Sequence, residues 1–288
     1  MKFKLTRVAL ATMSLLPLLT ACGENGDSAN PVVDNNTDNT PKAQSLEVRA
    51  IDGYLEGARV WLDVNGNYKL DAGEPSAITG AGGVAKLDVT ALGAQSSQFP
   101  LLVEAIAGQT IDSDTPESPI TQGFVMSAPA GYTVITPLST LVQQKIASGA
   151  SKSEAEDAVK NLLQQPDLNP ASDYIAQSKS VAAGQAKAMV RLLPATATEL
   201  SAQKANLEAG AKLLGNVVAE DKANATETDF SVVVFVPGKK PANMALDRDG
   251  DGVVDSKDAF PKDKDEWLDT DKDGIGNNAD LDDDNDGW

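Results

Sequence analysis

The chain has 288 residues, with 42 Asp and Glu against 24 Lys and Arg, a formal net charge of −18, no histidine and one cysteine. Such a surplus of acid argues against nucleic acid as a partner, because phosphates are held by Lys and Arg, and against charge-driven binding to anionic lipid. The absence of histidine removes the commonest general base and transition-metal ligand, and a lone cysteine excludes an intramolecular disulfide.

The N-terminus reads as an address. Lys2, Lys4 and Arg7 precede an apolar stretch, Val8 to Leu19, that is too short to span a bilayer. It ends Leu19-Thr20-Ala21-Cys22, which resembles the bacterial lipobox. The resemblance implies a signal peptide over residues 1–21, cleavage before Cys22 and lipidation of that cysteine. Gly23, rather than Asp, follows the cysteine, and by the same resemblance this implies sorting to the outer membrane; the cell surface is expected over the periplasmic face, which stays the alternative. The competing reading is an ordinary secretory signal with a stray cysteine. Loss of residues 1–21 removes three positive charges and takes the net charge to −21. Residues 22–44, rich in Asn, Asp, Thr and Pro, read as a flexible tether without a core of their own.

Residues 45–136 carry short alternating runs at Leu46–Ile51, Ala58–Leu62, Val84–Val89, Leu101–Ala107, Phe124–Ala128 and Tyr132–Ile135, separated by glycine-rich turns. That spacing predicts a small β-sandwich. The stretch beginning Asp52-Gly-Tyr-Leu-Glu-Gly resembles the prealbumin-like, collagen-adhesin B-type sandwiches of bacterial surface proteins. Some of those domains carry an internal Lys–Asn bond from the first strand; this first strand offers only Arg49, so no such bond is expected. Between two runs, Asp63, Asn65, Asn67, Asp71 and Glu74 stand at positions 1, 3, 5, 9 and 12 of a twelve-residue loop. These are EF-hand-like ligand positions for calcium. Position 6 is Tyr68 instead of glycine, in a turn that wants positive φ, at a cost of about 1 kcal/mol. The competing reading is a polar hairpin loop with Asn-Gly turn chemistry.

From Thr136 the period changes. Thr136-Pro137 reads as an N-cap followed by proline at the first helical position, and Leu138, Leu141, Val142 and Ile146 recur at helical spacing up to Gly149. Ser151 to Glu154 is a capping box for a second helix that ends before Pro166. Tyr174–Leu193 and Glu199–Glu220 predict two longer helices, the last with Leu200, Leu207 and Leu214 seven apart. Residues 137–224 therefore read as a helical bundle. In residues 225–246 the run Phe230–Val236 is strongly β-forming and is expected to join a sheet edge, that of the sandwich, before Pro237–Pro241 breaks it.

Residues 247–288 hold sixteen acids against five bases. Asp247, Asp249, Asp251, Asp255 and Asp258 occupy positions 1, 3, 5, 9 and 12 of a loop with Gly252 at position 6 and Val253 at position 7. Asp269, Asp271, Asp273, Asn277 and Asp280 repeat the register with Gly274 and Ile275. Calcium takes about six to eight oxygens, and an alternating acidic loop with a glycine at its sharp turn supplies them. Val253 and Ile275 would offer backbone carbonyls while their side chains pack inward, and Trp267 would pack with Phe260 between the loops. A third loop starts with Asp282, Asp284 and Asp286 and stops two residues later. Either something else completes it or the sequence is a piece of a longer protein. The stretches DRDGDGVVDSKDAFP and DTDKDGIGNNAD resemble bacterial thrombospondin type 3 repeats, which implies calcium ions lining an acidic segment that has no disulfides.

Catalytic signatures are missing: no GxSxG, no phosphate-cradling Gly-Lys-Ser/Thr and no HExxH. Ser201 to Lys204 matches SxxK without its companion motifs and reads as a helical accident. Trp61 reads as sandwich core. The expectation is a multidomain α+β chain comprising a sandwich, a helical bundle and calcium-organised acidic repeats. As a whole it reads as a non-enzymatic, lipid-anchored surface spacer or adhesion stalk held to the outer membrane through Cys22. The alternatives are an accessory subunit that binds a surface glycan or protein, with Trp61 or Tyr54 in an exposed groove, or the anchoring part of a larger surface enzyme.

Overall fold

Strand β1 (Ser45–Ala50) alternates, so that Val48 and Ala50 turn inward while Glu47 and Arg49 turn outward. Strands β2 (Leu55–Glu56), β3 (Arg59–Leu62), β4 (Ser76–Ile78), β5 (Val84–Asp88), β6 (Leu101–Ala105), β7 (Ile111–Asp112), β8 (Phe124–Ala128) and β9 (Val134–Ile135) follow. The computed structural model describes residues 42–178, 180–224, 226, 228, 230, 233–236 and 244–287. The signal peptide, Cys22, the tether up to residue 41, Ser231-Val232 and the Pro237–Pro241 break lie outside them.

The strands form an antiparallel sheet in the order β4-β3-β6-β8, a second sheet β5-β1-β9 and a short β2-β7 ribbon. In the second sheet β1 runs antiparallel to β5 and parallel to β9. One core fills the space between the two larger sheets, with Val60, Leu62, Val103, Ala105 and Met126 meeting Val48, Ala50, Ala85, Leu87 and Ile135. The six runs expected from alternation are all strands. The two- and three-residue strands β2, β4 and β7 are too short to show a period.

Helices cover the outer face of the four-stranded sheet. There Trp61, Leu102 and Val125 pack with Leu200, and Tyr68 closes the edge. Strand β8 is buried along its whole length, which is why FVMSA reads as an unbroken apolar run. Trp61 is buried, but against the helices and not in the expected core between the sheets, and Tyr54 donates its hydroxyl to Asp173, so neither residue presents an open aromatic platform.

Helix α1 (Pro137–Ala147) starts at Thr136, whose Oγ1 accepts from the Ser139 N–H while Ser139 Oγ accepts from the Thr136 N–H. The same hydroxyl groups bond the helix to the sheet: Ser139 Oγ donates to the Ser127 carbonyl at 2.8 Å, and the Ser127 N–H donates to Thr140 Oγ1 at 2.9 Å. Helix α2 (Lys152–Leu162) carries the expected Ser151–Glu154 capping box.

Helix α3 (Ser180–Val190) is shorter than the predicted Tyr174–Leu193. Tyr174 to Ser178 forms turns instead, because the Tyr174 hydroxyl reaches the carbonyls of Ile51 and Asp52 and Ser178 takes a φ of 54°. Helix α4 (Leu200–Ala223) buries Leu200, Leu207 and Leu214. It crosses the end of α2 so closely that a Cβ on Gly215 would lie 2.0 Å from the Leu162 carbonyl oxygen.

The helical core also takes Ile51 from the sheet region, and Pro41–Trp288 is one compact unit. The protein is a mixed α+β chain. No helix among the described residues is long and apolar enough to cross a membrane.

The described strand of the run Phe230–Val236 joins neither of the two larger sheets. Strand β10 (Val234–Val236) pairs antiparallel with β11 (Ala245–Asp247), while Phe230 and Val233 are buried in the helical core. A partner about ten residues away closes a small loop and loses less chain entropy than a distant sheet edge would. This hairpin delivers the chain to Asp247.

Candidate metal centre

The first acidic loop folds around its own carboxylates. Asp247 Oδ1 accepts the Gly250 N–H at 2.7 Å and Oδ2 accepts the Gly252 N–H at 3.0 Å. Asp249 Oδ1 accepts from Asp251, Asp251 Oδ1 from Val253, and Asp255 Oδ1 from Arg248. The second loop repeats this set. Asp269 accepts from Lys272 and Gly274, Asp271 from Asp273, Asp273 from Ile275, and Asn277 from Thr270. Position 1 thus cradles positions 4 and 6, position 3 holds 5, position 5 holds 7, and position 9 caps the N–H of position 2.

Positions 4 and 6 must then lie at positive φ. They are Gly250 and Gly252 in the first loop, Lys272 and Gly274 in the second, and Asn285 and Gly287 in the third. In the third loop Asp282 accepts from Asp286 and Gly287.

In each of the three loops the carboxylates at positions 1, 3 and 5 offer one oxygen apiece within 4.8 Å of one another: Asp247, Asp249, Asp251; Asp269, Asp271, Asp273; and Asp282, Asp284, Asp286. These clusters have the geometry to hold a metal ion. Among the described residues, the buried oxygens Asp249 Oδ2 and Asp251 Oδ2 have no hydrogen-bond partner. Two orphaned carboxylate oxygens in one such cluster fit a hard cation, which would take the place of hydrogen-bond donors.

The clustering also shifts protonation. Burial, then the Asp251, Asp258 and Asp247 charges, pushes the Asp249 carboxyl above its ordinary range. Desolvation, with Asp273, Asp280 and Asp269, does the same for Asp271. Asp258 and Asp280, at position 12, therefore lie within electrostatic reach of their loops. The Asp255 pKa is raised by burial and partly restored by Arg248, whose Nε donates to Asp255 Oδ2 at 2.8 Å.

Two details differ from expectation. Ile275 does not pack inward: it is 47% exposed, because the second loop has no apolar body beneath it. Trp267 is exposed as well and forms no plug; the residue buried between the loops is Glu266, whose Oε2 accepts the Asn278 N–H, and Gly276 is required beside it for want of space.

The loop at Asp63 has the same backbone plan. Asp63 accepts from Gly66 and Tyr68, Asn65 from Asn67, and Asn67 from Lys69. Tyr68 takes a φ of 61°, the conformation expected of a glycine, and is held there by packing beside Trp61. Its acids are engaged differently. Asn65 and Asn67 donate their amides to Asp71 and thereby lower its pKa, while Glu74 accepts from Val64 and Asp71. Among the described residues, this loop brings no three carboxylates to one point.

Sequence reasoning missed how the first loop is docked. Arg248, with 7% of its side chain exposed, lies between Asp255 and Asp221 of α4. Lys262, from beyond the loop, meets Asp221 at 2.9 Å. Burial works against ionisation of Asp221, but the bonds and charges of Lys262, Thr226 and Arg248 hold its pKa below the usual carboxylate value. The second and third loops make their hydrogen bonds, among the described residues, within the acidic tail itself. No family model, no curated protein and no solved structure matches the chain.

Proposed function

We propose that this chain is a calcium-binding surface protein, anchored to the outer membrane through lipid on Cys22, in which the ions are structural. On this reading the acidic tail is a set of thrombospondin type 3-like repeats, ordered when calcium neutralises carboxylates that otherwise repel one another. The observation that carries the reading is the shared bonding plan of the first two tail loops, with two buried oxygens of Asp249 and Asp251 left without donors in the first. Calcium suits these sites better than a softer metal because every side-chain ligand is a carboxylate or amide oxygen and the chain has no histidine.

The loop Asp63–Glu74 is a further calcium site on this reading, one that takes its ion when Asn65 and Asn67 release Asp71. The product of binding is mechanical: a stiff, acidic extension leaving the body at β11, suited to a spacer or an adhesive stalk. Calorimetric titration of calcium into the full-length chain, followed in parallel by circular dichroism, tests the reading. Two or more ions bound at or below about 1 mM, with ordering reversed by chelator, is the expected result. No binding heat and no ordering at about 10 mM calcium would sink it.

A further inference from the structure

We propose that the cavity beside Asp52 is a binding site for a small organic cation, an amine with an apolar body. The cavity holds about 400 Å³ and lies where the turn after β1 meets the start of α3, with Asp52, Asp114, Tyr174, Ile175, Ala183 and Lys187 among its walls. That volume falls in the range of small-molecule sites, and a mainly apolar wall with a few polar groups is their usual make-up.

Asp52 is the anchor. It is 8% exposed, and among the described residues its buried Oδ1 has no hydrogen-bond partner. A buried carboxylate short of donors is stabilised by a positive charge placed close to it. The surroundings call for positive charge. Asp112 and Asp114 stand beside Asp52, and among the described residues the cation facing them is Lys187, which meets Asp114 at 3.2 Å with more than half its side chain in solvent. Burial, then the charges of Asp112 and Asp114, pushes the Asp52 carboxyl well above its ordinary value, and Lys187 only partly opposes them.

The chemistry of the ligand follows from geometry. Among the described residues, these three acids do not gather oxygens around one point as the tail triplets do, so a bare metal ion is a poor fit. An ammonium brings three N–H donors for Asp52 and Asp114 and a body to cover Tyr174 and Ile175. Asp52 also borders a second cavity of about 420 Å³, whose walls, with Thr115, Ser118, Thr121 and Gln122, are more polar and suit the apolar body of the amine less.

The test uses the full-length chain and three matched probes: benzylamine, benzyl alcohol and benzoate. Calorimetry is expected to show saturable one-to-one binding of benzylamine, at least about tenfold tighter than benzyl alcohol, and no binding of benzoate. Asp52→Asn should cost benzylamine about tenfold or more and leave benzyl alcohol unchanged. Lys187→Gln should tighten benzylamine by about threefold, because the rival ammonium is gone; a merely structural role for these residues would not move affinity in that direction. Equal affinity for alcohol and amine, or no saturable heat from benzylamine at about 10 mM, overturns the proposal. Should Asp52→Asn not fold, Lys187→Gln decides: tightening supports the site, and unchanged binding overturns it.

Discussion

Replacing Asp247 by Asn and, separately, Asp269 by Asn makes the same chemical change at position 1 of two loops that differ in what lies beneath them. Asp247 is 3% exposed and is itself part of β11, one residue from Arg248 and its bond to Asp221. Asp269 belongs to a loop whose bonds stay within the tail. In either case an amide can accept with only one of the two oxygens, so one N–H loses its partner at about 1 kcal/mol. The bound ion contributes more. With a dissociation constant of about 0.1–1 mM, about 10 mM calcium stabilises a folded site by about 1.4–2.7 kcal/mol. At roughly 2–4 °C per kcal/mol for a unit of this size, that is about 3–11 °C in the melting temperature. The first loop should pass this gain to the whole body, because α4 cannot unfold while Asp221 remains locked to Arg248. The second should keep its gain local. Scanning calorimetry with calcium and with chelator should therefore show that Asp247→Asn abolishes the calcium-dependent rise of the main transition. Asp269→Asn should leave that rise intact while removing one bound ion in a titration. Equal losses from the two variants would refute the coupling argument.

Arg248→Ala should destabilise the chain by about 1–3 kcal/mol in urea unfolding, because Asp221 and Asp255 lose the cation they share while Lys262 stays on Asp221. It should also release the tail to limited proteolysis. Asp221 has a folded pKa below its unfolded value, so the stability it contributes is present above the ordinary carboxylate pKa and is lost as pH falls through the folded value. Tail docking, read by protease sensitivity from pH 7 to pH 3, should fail on the acidic side. Asp52 runs the other way. Its folded pKa is raised, so its contribution is full below the ordinary carboxylate value and is lost as pH rises through the folded one. Asp52→Asn should make the unliganded chain more stable at pH 7 and flatten that part of its profile. Gly215→Ala should cost about 1–3 kcal/mol or more, since the new methyl meets the Leu162 backbone, and the loss should appear as a lowered urea midpoint.

What could be read from the sequence was what is settled locally. The caps at Thr136 and Ser151 are legible because donor and acceptor lie three residues apart. The tail register is legible for the same reason: the five bonds by which carboxylates cradle the first loop fall within the span Asp247–Asp255. Non-local choices were not legible. Phe230–Val236 announces a strand, but nothing in it names Ala245–Asp247 as the partner. Tyr174–Ser178 has residues a helix tolerates, and it is the reach of Tyr174 to the carbonyls of Ile51 and Asp52, over a hundred positions away, that ends the helix there. Asp221 reads as an ordinary acid near a helix end; its cationic partners lie 27 and 41 residues further on. The cavity beside Asp52 likewise joins a turn after the first strand to a helix that begins at Ser180, and no window of sequence contains both.

The hydrogen bonds among Ser127, Thr136, Ser139 and Thr140 have a consequence for how the molecule comes apart. Composition changes abruptly at Thr136, which is where a hinge would be sought, yet all four residues are buried and bonded across that point. Severing the chain there would strip Leu200 from Val125 on one fragment and Ile51 from the helical core of the other. The strands and helices are consequently expected to melt in one cooperative step and to be inherited together. The junction at Thr136 is therefore not expected to act as a hinge.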